Sequence, residues 1–262
     1  MLKENGSNNI FIGIKNVCAG YEDKKSILYN IDLDIELGKI TVLAGPNGCG
    51  KSTLLKVITG LLPRTKGELV VDGQIAEDYR QSELAKKVAY LPQSRNVPEI
   101  SVKRMVLHGR FPYLSYPRHY RAIDMDIAEE ALKQVGMEAY ADDNVSRLSG
   151  GMQQKVYIAM ALAQDTPAIL MDEPTTFLDI AHQLKLMEMA RQLAAKGKAV
   201  VLVLHDIAMA LKVADKVVVM SEGHIMEKGS PEQVFESGVL DKVFGVSIKR
   251  VETDEGWQYF IA

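Results

Sequence analysis

Residues 40–62 read ITVLAGPNGCGKSTLLKVITGLL, in which an apolar run, a glycine-rich loop and an amphipathic stretch follow one another. The run Ile40–Ala44 has the continuous apolar character of a strand covered on both faces. After residue 52, leucine, valine and isoleucine recur at helical spacing. The loop between them, residues 45–52, matches the pattern G-x-x-x-x-G-K-[ST]. Strand, loop and helix in this order predict a phosphate-binding loop, and a glycine-rich turn that binds nothing is the much weaker alternative.

The residue types of this loop suit that chemistry. Glycine lets backbone N–H groups approach a phosphate where a side chain would collide, and the next helix directs its positive N-terminal end at the same place. The pattern predicts that Lys51 reaches the β- and γ-phosphates of a nucleotide and that Ser52 offers its hydroxyl to Mg²⁺. The residues predicted to bind nucleotide here are Gly45, Pro46, Asn47, Gly48, Cys49, Gly50, Lys51, Ser52 and Thr53.

Hydrophobic patterning predicts an α/β fold around the loop. Apolar residues alternate with acidic ones between Ile31 and Leu37, and isoleucines alternate from Ile10 to Ile14, which is typical of half-buried antiparallel strands with a turn at residues 22–25. Short continuous apolar runs predict central parallel strands, and these runs are Ile40–Ala44, Val88–Leu91, 168–171, 199–204 and 217–220. Helical stretches are expected between them, at residues 51–62, 179–195 and Ile207–Val213.

One stretch interrupts the alternation of strand and helix. Residues from about 94 to 163 show helical patterns and a proline-broken segment at residues 111–117, so we expect a helical subdomain inserted into a single domain. The core is then residues 1–93 and 164–262. Toward the C-terminus we expect a hairpin at residues 222–224, a helix capped by Ser230 with Pro231 at its first position, and two strands near residues 247–251 and 257–261.

Composition excludes several classes of protein. The 262 residues carry 31 Lys+Arg against 34 Asp+Glu, so no basic excess indicates a nucleic-acid partner. Cys18 and Cys49 are too few for a disulfide framework. The longest apolar run, residues 156–163, is far shorter than the ~20 residues of a membrane-spanning helix, and residues 1–9 lack the apolar stretch of a secretion signal. We expect a cytoplasmic protein. If it works at a membrane, another component must anchor it there.

Two carboxylates end the apolar run at residues 168–171. The carboxyl end of a central strand opens at the ligand crevice of an open α/β sheet. Asp172 is predicted to hold Mg²⁺, and Glu173 is predicted to polarise a water molecule against the γ-phosphate. The alternative, that both acids only mark a strand end, loses weight because of the phosphate-binding loop upstream.

A second anion-binding helix start is predicted at residues 148–154, LSGGMQQ. Ser149 is a good N-cap residue for the helix that runs to Ala163, and Gly150 and Gly151 leave backbone N–H groups accessible. One nucleotide rarely needs two such helix ends from one subunit, so the pattern indicates assembly. A capped helix with a glycine-rich entry is the alternative.

Residues 45–52, 148–154 and 169–173 together resemble the Walker A, signature and Walker B motifs of ATP-binding-cassette (ABC) transporter ATPases. The similarity covers nearly the whole chain in the family's order, and other P-loop classes lack the signature. The resemblance implies an α/β P-loop NTPase core with an antiparallel N-terminal β subdomain. It also implies ATP and Mg²⁺ as cofactors, and a head-to-tail homodimer with ATP between Lys51 of one copy and residues 149–151 of the other.

The resemblance assigns expected roles to further residues. Tyr21 resembles the aromatic residue that stacks on adenine, and Gln93 resembles the glutamine that contacts Mg²⁺ and water. Asp179 resembles the D-loop aspartate, and His205 resembles the switch histidine that contacts the γ-phosphate. Structural roles (an exposed tyrosine, residues at strand ends) are the alternatives for Tyr21, Gln93 and His205.

Two positions depart from the family's signature. Met152 stands where the family usually has glutamine and cannot make the hydrogen bonds of an amide. Lys155 stands where arginine is usual and is less able to make a bidentate contact. We expect tuned affinity at this helix rather than an inactive site.

The run Gly109-Arg110-Phe111-Pro112-Tyr113, with residues 163–166 and 175–179, resembles ATPases of iron–siderophore, haem and cobalamin importers. This implies a peripheral protein at the cytoplasmic face of the membrane, a separate permease, and indirectly an extracytoplasmic solute-binding protein. Residues 110–116 are expected to face the permease or to form an exposed loop. An importer of another solute, an exporter or a soluble non-transport ABC protein are alternatives, and a P-loop GTPase is disfavoured because the chain has no Asn-Lys-x-Asp motif.

Overall fold

Three sheets and nine α-helices organise the part of the chain described by a computed structural model, namely residues 9–21, 26–93, 96–254 and 256–262. The strands are β1 Ile10–Ala19, β2 Leu28–Glu36, β3 Ile40–Ala44, β4 Arg64–Val71, β5 Gln74–Ile75, β6 Val88–Leu91, β7 Ala168–Asp172, β8 Ala199–Val203, β9 Lys216–Ser221, β10 His224–Gly229, β11 Ile248–Thr253 and β12 Gly256–Ile261. The helices are α1 Lys51–Ile58, α2 Gln81–Leu84, α3 Val102–Leu107, α4 Ala122–Gln134, α5 Gly150–Ala163, α6 Ile180–Ala195, α7 Ile207–Val213, α8 Pro231–Glu236 and α9 Val239–Phe244.

The central sheet positions the functional residues. Its strand order is β10-β9-β3-β8-β7-β6, and β9, β3, β8, β7 and β6 run parallel while β10 is antiparallel to β9. Every residue of β3, β7 and β8 is buried, because helices cover one face and α1 with the antiparallel sheet covers the other. All five apolar runs are therefore confirmed as parallel strands, and their carboxyl ends share one edge.

An antiparallel sheet of order β2-β1-β4-β5 contains the first two strands, as expected from their alternation. The sequence pattern missed β4 and β5. In β4 most positions from Arg64 to Glu68 are exposed, and Gly67 interrupts them, so no period of two is visible there. The turn predicted at residues 22–25 lies outside the described residues.

Helices dominate the described residues between 96 and 163. Strand-type pairing within this described stretch is limited to one isolated bridge between Ser101 and Asn144. Helices α3, α4 and α5 share a core with α6 and one face of the central sheet. The proline-broken segment forms a 3-10 helix, His108–Tyr113, before an irregular stretch.

The C-terminal expectations are confirmed in outline. Glu222 and Gly223 form the left-handed turn between β9 and β10, which suits a two-residue hairpin loop. Ser230 caps α8 with Pro231 at its first position, and β11 pairs with β12. The short helices α2 and α9 were not predicted. Within the described ranges, no helix combines the length and apolar character needed to cross a membrane.

Candidate functional site

The glycine-rich loop joins β3 to α1 through a tight turn. A Cβ at Gly45 would collide with the carbonyl oxygen of Met220 on the neighbouring strand. Gly50 has a φ of 109°, and a Cβ there would lie 2.7 Å from Leu28 Cδ2. Both positions therefore require glycine, and the chain can turn here with its amides uncovered.

Lys51 lies within this loop rather than in solvent. Its side chain is buried, and its ammonium donates hydrogen bonds to the carbonyl oxygens of Gly45 at 2.7 Å and Pro46 at 2.9 Å. The positive charge is thus held at the place where the sequence predicts a phosphate.

Asp172 lies at the carboxyl end of β7 and is 1% exposed. Its Oδ2 accepts a hydrogen bond from Tyr90 at 3.3 Å, and Ser52 also bonds to the carboxylate. Burial raises the pKa of the Asp172 carboxyl and the charge of Glu173 raises it further, whereas the hydrogen bonds from Ser52 and Tyr90 oppose this. The sequence analysis did not identify Tyr90 as a site residue. The one sequence feature that could have indicated it is a hydroxyl group within an apolar strand.

The other oxygen of Asp172, Oδ1, is buried with no hydrogen-bond partner among the described residues. A buried acceptor next to the Ser52 hydroxyl fits a hard cation that takes oxygen ligands. Among the described residues no cluster of three or more His, Cys, Asp or Glu side chains could hold a metal ion by itself. Mg²⁺ typically binds through one or two carboxylates together with substrate phosphates.

Glu173 connects two other predicted residues. Its Oε2 accepts a hydrogen bond from Gln93 Nε2 at 2.6 Å, and its Oε1 lies 2.7 Å from Nε2 of His205. Glu173 has a φ of 50°, an unusual value for a non-glycine residue, which occurs where the chain turns away from β7. The ends of β6, β7 and β8 therefore bring Gln93 and His205 to the two carboxylate oxygens of Glu173.

These side chains share a cavity of about 500 Å³ with the glycine-rich loop. Its lining residues are Ile27, Asn47, Gly48, Gly50, Lys51, Ser52, Thr53, Gln93, Glu173 and His205. Ile27 is the lining residue that the sequence did not indicate. A basic group, backbone amides, a hydroxyl and a carboxylate next to an imidazole can together bind a polyphosphate and activate water.

Tyr21 and the signature residues lie outside that lining. Tyr21 is partly exposed beside α1, where its hydroxyl accepts a hydrogen bond from Lys56 Nζ at 3.2 Å and the same ammonium lies 5.7 Å from the ring centroid. Ser149 caps α5 as predicted, and its Oγ accepts from the amide of Met152 at 3.4 Å. Ser149 and Gly150 are both exposed, so this helix start faces solvent.

The start of α5 is fastened to the segment after Glu173. Gln154, which is 4% exposed and was not singled out in the sequence, donates to the carbonyl oxygen of Pro174 at 2.7 Å. Asp179 caps α6 and accepts hydrogen bonds from the amide and the ring of His182 at 2.9 and 2.8 Å, which lower the pKa of Asp179. Within a single subunit, Asp179 therefore has a structural role as the N-cap of α6.

Both departures from the family signature lie on α5. Met152 is half-buried and packs against the core of the helical region, which suits its apolar side chain. Burial lowers the pKa of Lys155, and the nearby charge of Lys185 lowers it further.

The segment that was expected to face a permease divides into two parts. Arg110 is 4% exposed, so its side chain is buried within this chain and is not on the accessible face of the segment. Tyr116 is 96% exposed and Phe111 is 42% exposed, and both remain accessible.

Known proteins are similar to this chain in sequence and in structure. A family model described as ABC transporter matches residues 28–176. The achromobactin transport ATP-binding protein of Dickeya dadantii is 38% identical, over 90% of this chain and 88% of the relative. The ferric enterobactin transport ATP-binding protein of Escherichia coli is 35% identical, over 88% and 86%. A solved dimeric bacterial ABC transporter cassette is 31% identical with a TM-score of 0.75, over 84% of this chain and 98% of that one.

Proposed function

This chain belongs to the ABC transporter family and is an ATPase, and on that premise we propose that it energises import of a metal chelate through a separate membrane permease. An iron–siderophore complex is the proposed solute, with haem or cobalamin as related candidates. The observation that carries the ATPase chemistry is the single cavity shared by Lys51, Glu173 and His205. The solute class is supported by the relatives, which are transport proteins for achromobactin and ferric enterobactin.

The site residues act on ATP mainly through placed charges. Lys51 and the loop amides meet the charge on the β- and γ-phosphates, so the barrier falls by electrostatic stabilisation rather than covalent chemistry. Glu173 polarises the attacking water. His205 contacts the γ-phosphate, and its 2.7 Å contact with Glu173 supports a second role in orienting that carboxylate. Gln93 donates to the same carboxylate from the other side.

Mg²⁺ is proposed to be held by Ser52 and Asp172, with a contact to Gln93. A bound Mg²⁺ would supply positive charge that offsets the negative charge of the phosphates. The unpartnered Oδ1 of Asp172 supports this assignment, because ligation would satisfy a buried acceptor.

The ATP-binding site is proposed to be completed by a second copy of the chain. Ser149, Gly150 and Gly151 of one copy would meet the γ-phosphate held by the loop of the other, while Tyr21 stacks on adenine and Asp179 lies at the contact between copies. Phe177 supports the pairing, because this large apolar side chain is 76% exposed and lies next to Gly150 at the start of α5. Ile180 and Leu184 on α6 are also exposed, at 76% and 59%. Residues 94–163 are proposed as the helical subdomain that carries Ser149, Gly150 and Gly151.

The proposed import function implies two kinds of protein partner. We propose that the protein lies at the cytoplasmic face of the membrane, contacts permease subunits directly, and depends indirectly on an extracytoplasmic solute-binding protein. No nucleic-acid partner is proposed.

Uptake by cells that carry the chain and its permease tests the solute class. Radioactive iron supplied as a ferric siderophore should accumulate with the parental chain and not with Glu173→Gln, and labelled haem and cobalamin are run in parallel. If a permease co-purifies with the chain and yet none of the three labelled solutes accumulates, metal-chelate import is contradicted. Faster efflux with the parental chain would establish the alternative, an exporter.

A further inference from the structure

The C-terminal end of α5 is held by a buried arginine from another part of the chain. Arg110 donates from Nη1 to the carbonyl oxygen of Ala163 at 2.9 Å and lies 3.4 Å from that of Gln164. These carbonyls belong to the last residue and the C-cap of α5, where helix carbonyls lack partners and a positive charge is favourable.

Arg110 is itself fixed by α4. Its Nε donates to Asp124 Oδ1 at 3.1 Å, and Asp124 is fully buried. Arg121 also pairs with Asp124, at 2.9 Å, but its side chain is 59% exposed and none of its contacts reaches α5 among the described residues. The two arginines thus share one carboxylate, and of these two it is Arg110 whose described hydrogen bonds also reach α5.

Neighbouring residues close the contact. The ring centroid of Tyr113 lies 4.0 Å from Arg110 Cζ, and the Tyr113 hydroxyl donates to the carbonyl of Asp165 at 3.2 Å. A Cβ on Gly109 would collide with the carbonyl of Met160, so this segment packs directly on the α5 backbone. The segment GRFPY, residues 109–113, was noted above for its family resemblance. It therefore contacts the C-terminal end of α5.

The same helix end is tied to the α/β core. Gln164 Nε2 donates to the carbonyl of Ala85 at 2.5 Å, and Lys198 Nζ donates to Asp165 Oδ1 at 3.0 Å and to the carbonyl of Thr166 at 2.7 Å. The end of α5 is thus the point where the helical region and the core are both fastened.

We propose that Arg110 is a positioning residue for ATP hydrolysis, because it fixes the direction of α5 and thereby the placement of Ser149–Gly151 against the nucleotide of the paired copy. This rests on the proposed function of that helix start. Helix α5 has 14 residues, so it is about 21 Å long, and a tilt of about 5° at Ala163 moves the signature end by about 2 Å. A displacement of about 1 Å can reduce catalysis ~100-fold.

The test uses the full chain carrying Glu173→Gln, which retains ATP, with Arg110→Lys added. Lysine keeps the ion pair with Asp124 but loses the planar fork that also reaches the helix carbonyls. Light scattering should show ATP-driven pairing only at about tenfold higher protein concentration, whereas the Kd for ATP of the single subunit stays within about twofold. In the chain with Glu173 intact, kcat should fall by about tenfold.

Arg121→Lys is the matched control, because it weakens the same carboxylate pair without contacting α5. Equal shifts in pairing for both variants, or a parallel loss of ATP affinity, would overturn the positioning role. If Arg110→Lys does not fold, Tyr113→Phe removes one hydrogen bond to Asp165 and should shift pairing by about threefold, and no shift would overturn the proposal. If Ser149→Arg pairs normally in the same assay, the proposed role of the α5 start in pairing has failed, and not only the role of Arg110.

Discussion

Glu173 shows how single residues combine three strand ends into one site. Its two oxygens are engaged by Gln93 and His205, which lie 80 residues before it and 32 residues after it in the sequence. A carboxylate held from both sides has one orientation toward the cavity, which is a requirement for directing a water molecule.

Glu173→Gln is expected to keep ATP binding while kcat falls by about 100-fold or more, because the amide keeps the size but loses the base. Phosphate release measures kcat, and calorimetry measures the Kd for ATP. Glu188→Gln, which removes an exposed carboxylate on α6, should leave both values unchanged. Hydrolysis at the parental rate in Glu173→Gln would show that another group activates the water.

Lys51→Ala is expected to raise the Kd for ATP by about 10- to 100-fold, because it removes a charge-assisted hydrogen bond worth ~1.5–3 kcal/mol. Isothermal calorimetry on the full chain gives this Kd. The control Lys66→Ala removes the same charge from exposed β4 and should not change it. Equal affinity of parent and Lys51→Ala would contradict the phosphate-binding role of the loop.

At the scale of elements, helices α4 and α5 are joined through a buried charge. Hydrogen bonds from Arg121 first, and then from Arg110, hold the pKa of the Asp124 carboxyl well below its ordinary value of 3.8. Because the pKa is lower in the folded than in the unfolded chain, this carboxylate stabilises the fold above about pH 4, and that stabilisation is lost as the pH falls further.

Asp124→Asn is therefore expected to lower the free energy of unfolding by about 3 kcal/mol at pH 7, since it leaves Arg110 buried without its counter-charge. The difference from the parent should shrink as the pH falls below about 4. Urea unfolding at pH 7 and at lower pH measures both effects. Asp126→Asn, an exposed change on the same helix, is the control, and an Asp124→Asn chain with the parental stability and pH dependence would refute this account.

At the scale of the whole molecule, one chain presents two separate helix starts that are predicted to bind anions. The start of α1 lines the cavity, whereas the start of α5 does not. Exposed Ser149 and Gly150 gain a ligand only from outside the subunit, which is why pairing of two copies is the central expectation for the complete site.

Ser149→Arg is expected to abolish ATP-driven pairing of the Glu173→Gln chain, because the long side chain fills the space of a phosphate at the helix start. Static light scattering with and without ATP measures the mass. Ser82→Arg provides the matched control, since it adds the same side chain at an exposed position on α2, outside the residues proposed for pairing. Pairs of unchanged mass and affinity with Ser149→Arg would contradict the head-to-tail arrangement.

Local patterns were sufficient for much of this molecule. The glycine-rich loop between β3 and α1, the five parallel strands and the caps Ser149 and Ser230 were all predicted, because each depends on residues that are neighbours in sequence. Strand β4 was missed because its exposed residues carry no periodicity and it forms only by pairing with β1.

The sequence alone determined much of the order of elements and was the source of the candidate site residues, since hydrophobic period, glycine placement and capping act over a few residues. Only the tertiary structure decided that Arg110 is buried against α5, that Tyr90 contacts Asp172 and that Gln93 meets Glu173. These contacts join residues 53, 82 and 80 positions apart. Such pairs form where packed strands and helices bring distant segments together, and no pattern along the chain encodes their distances.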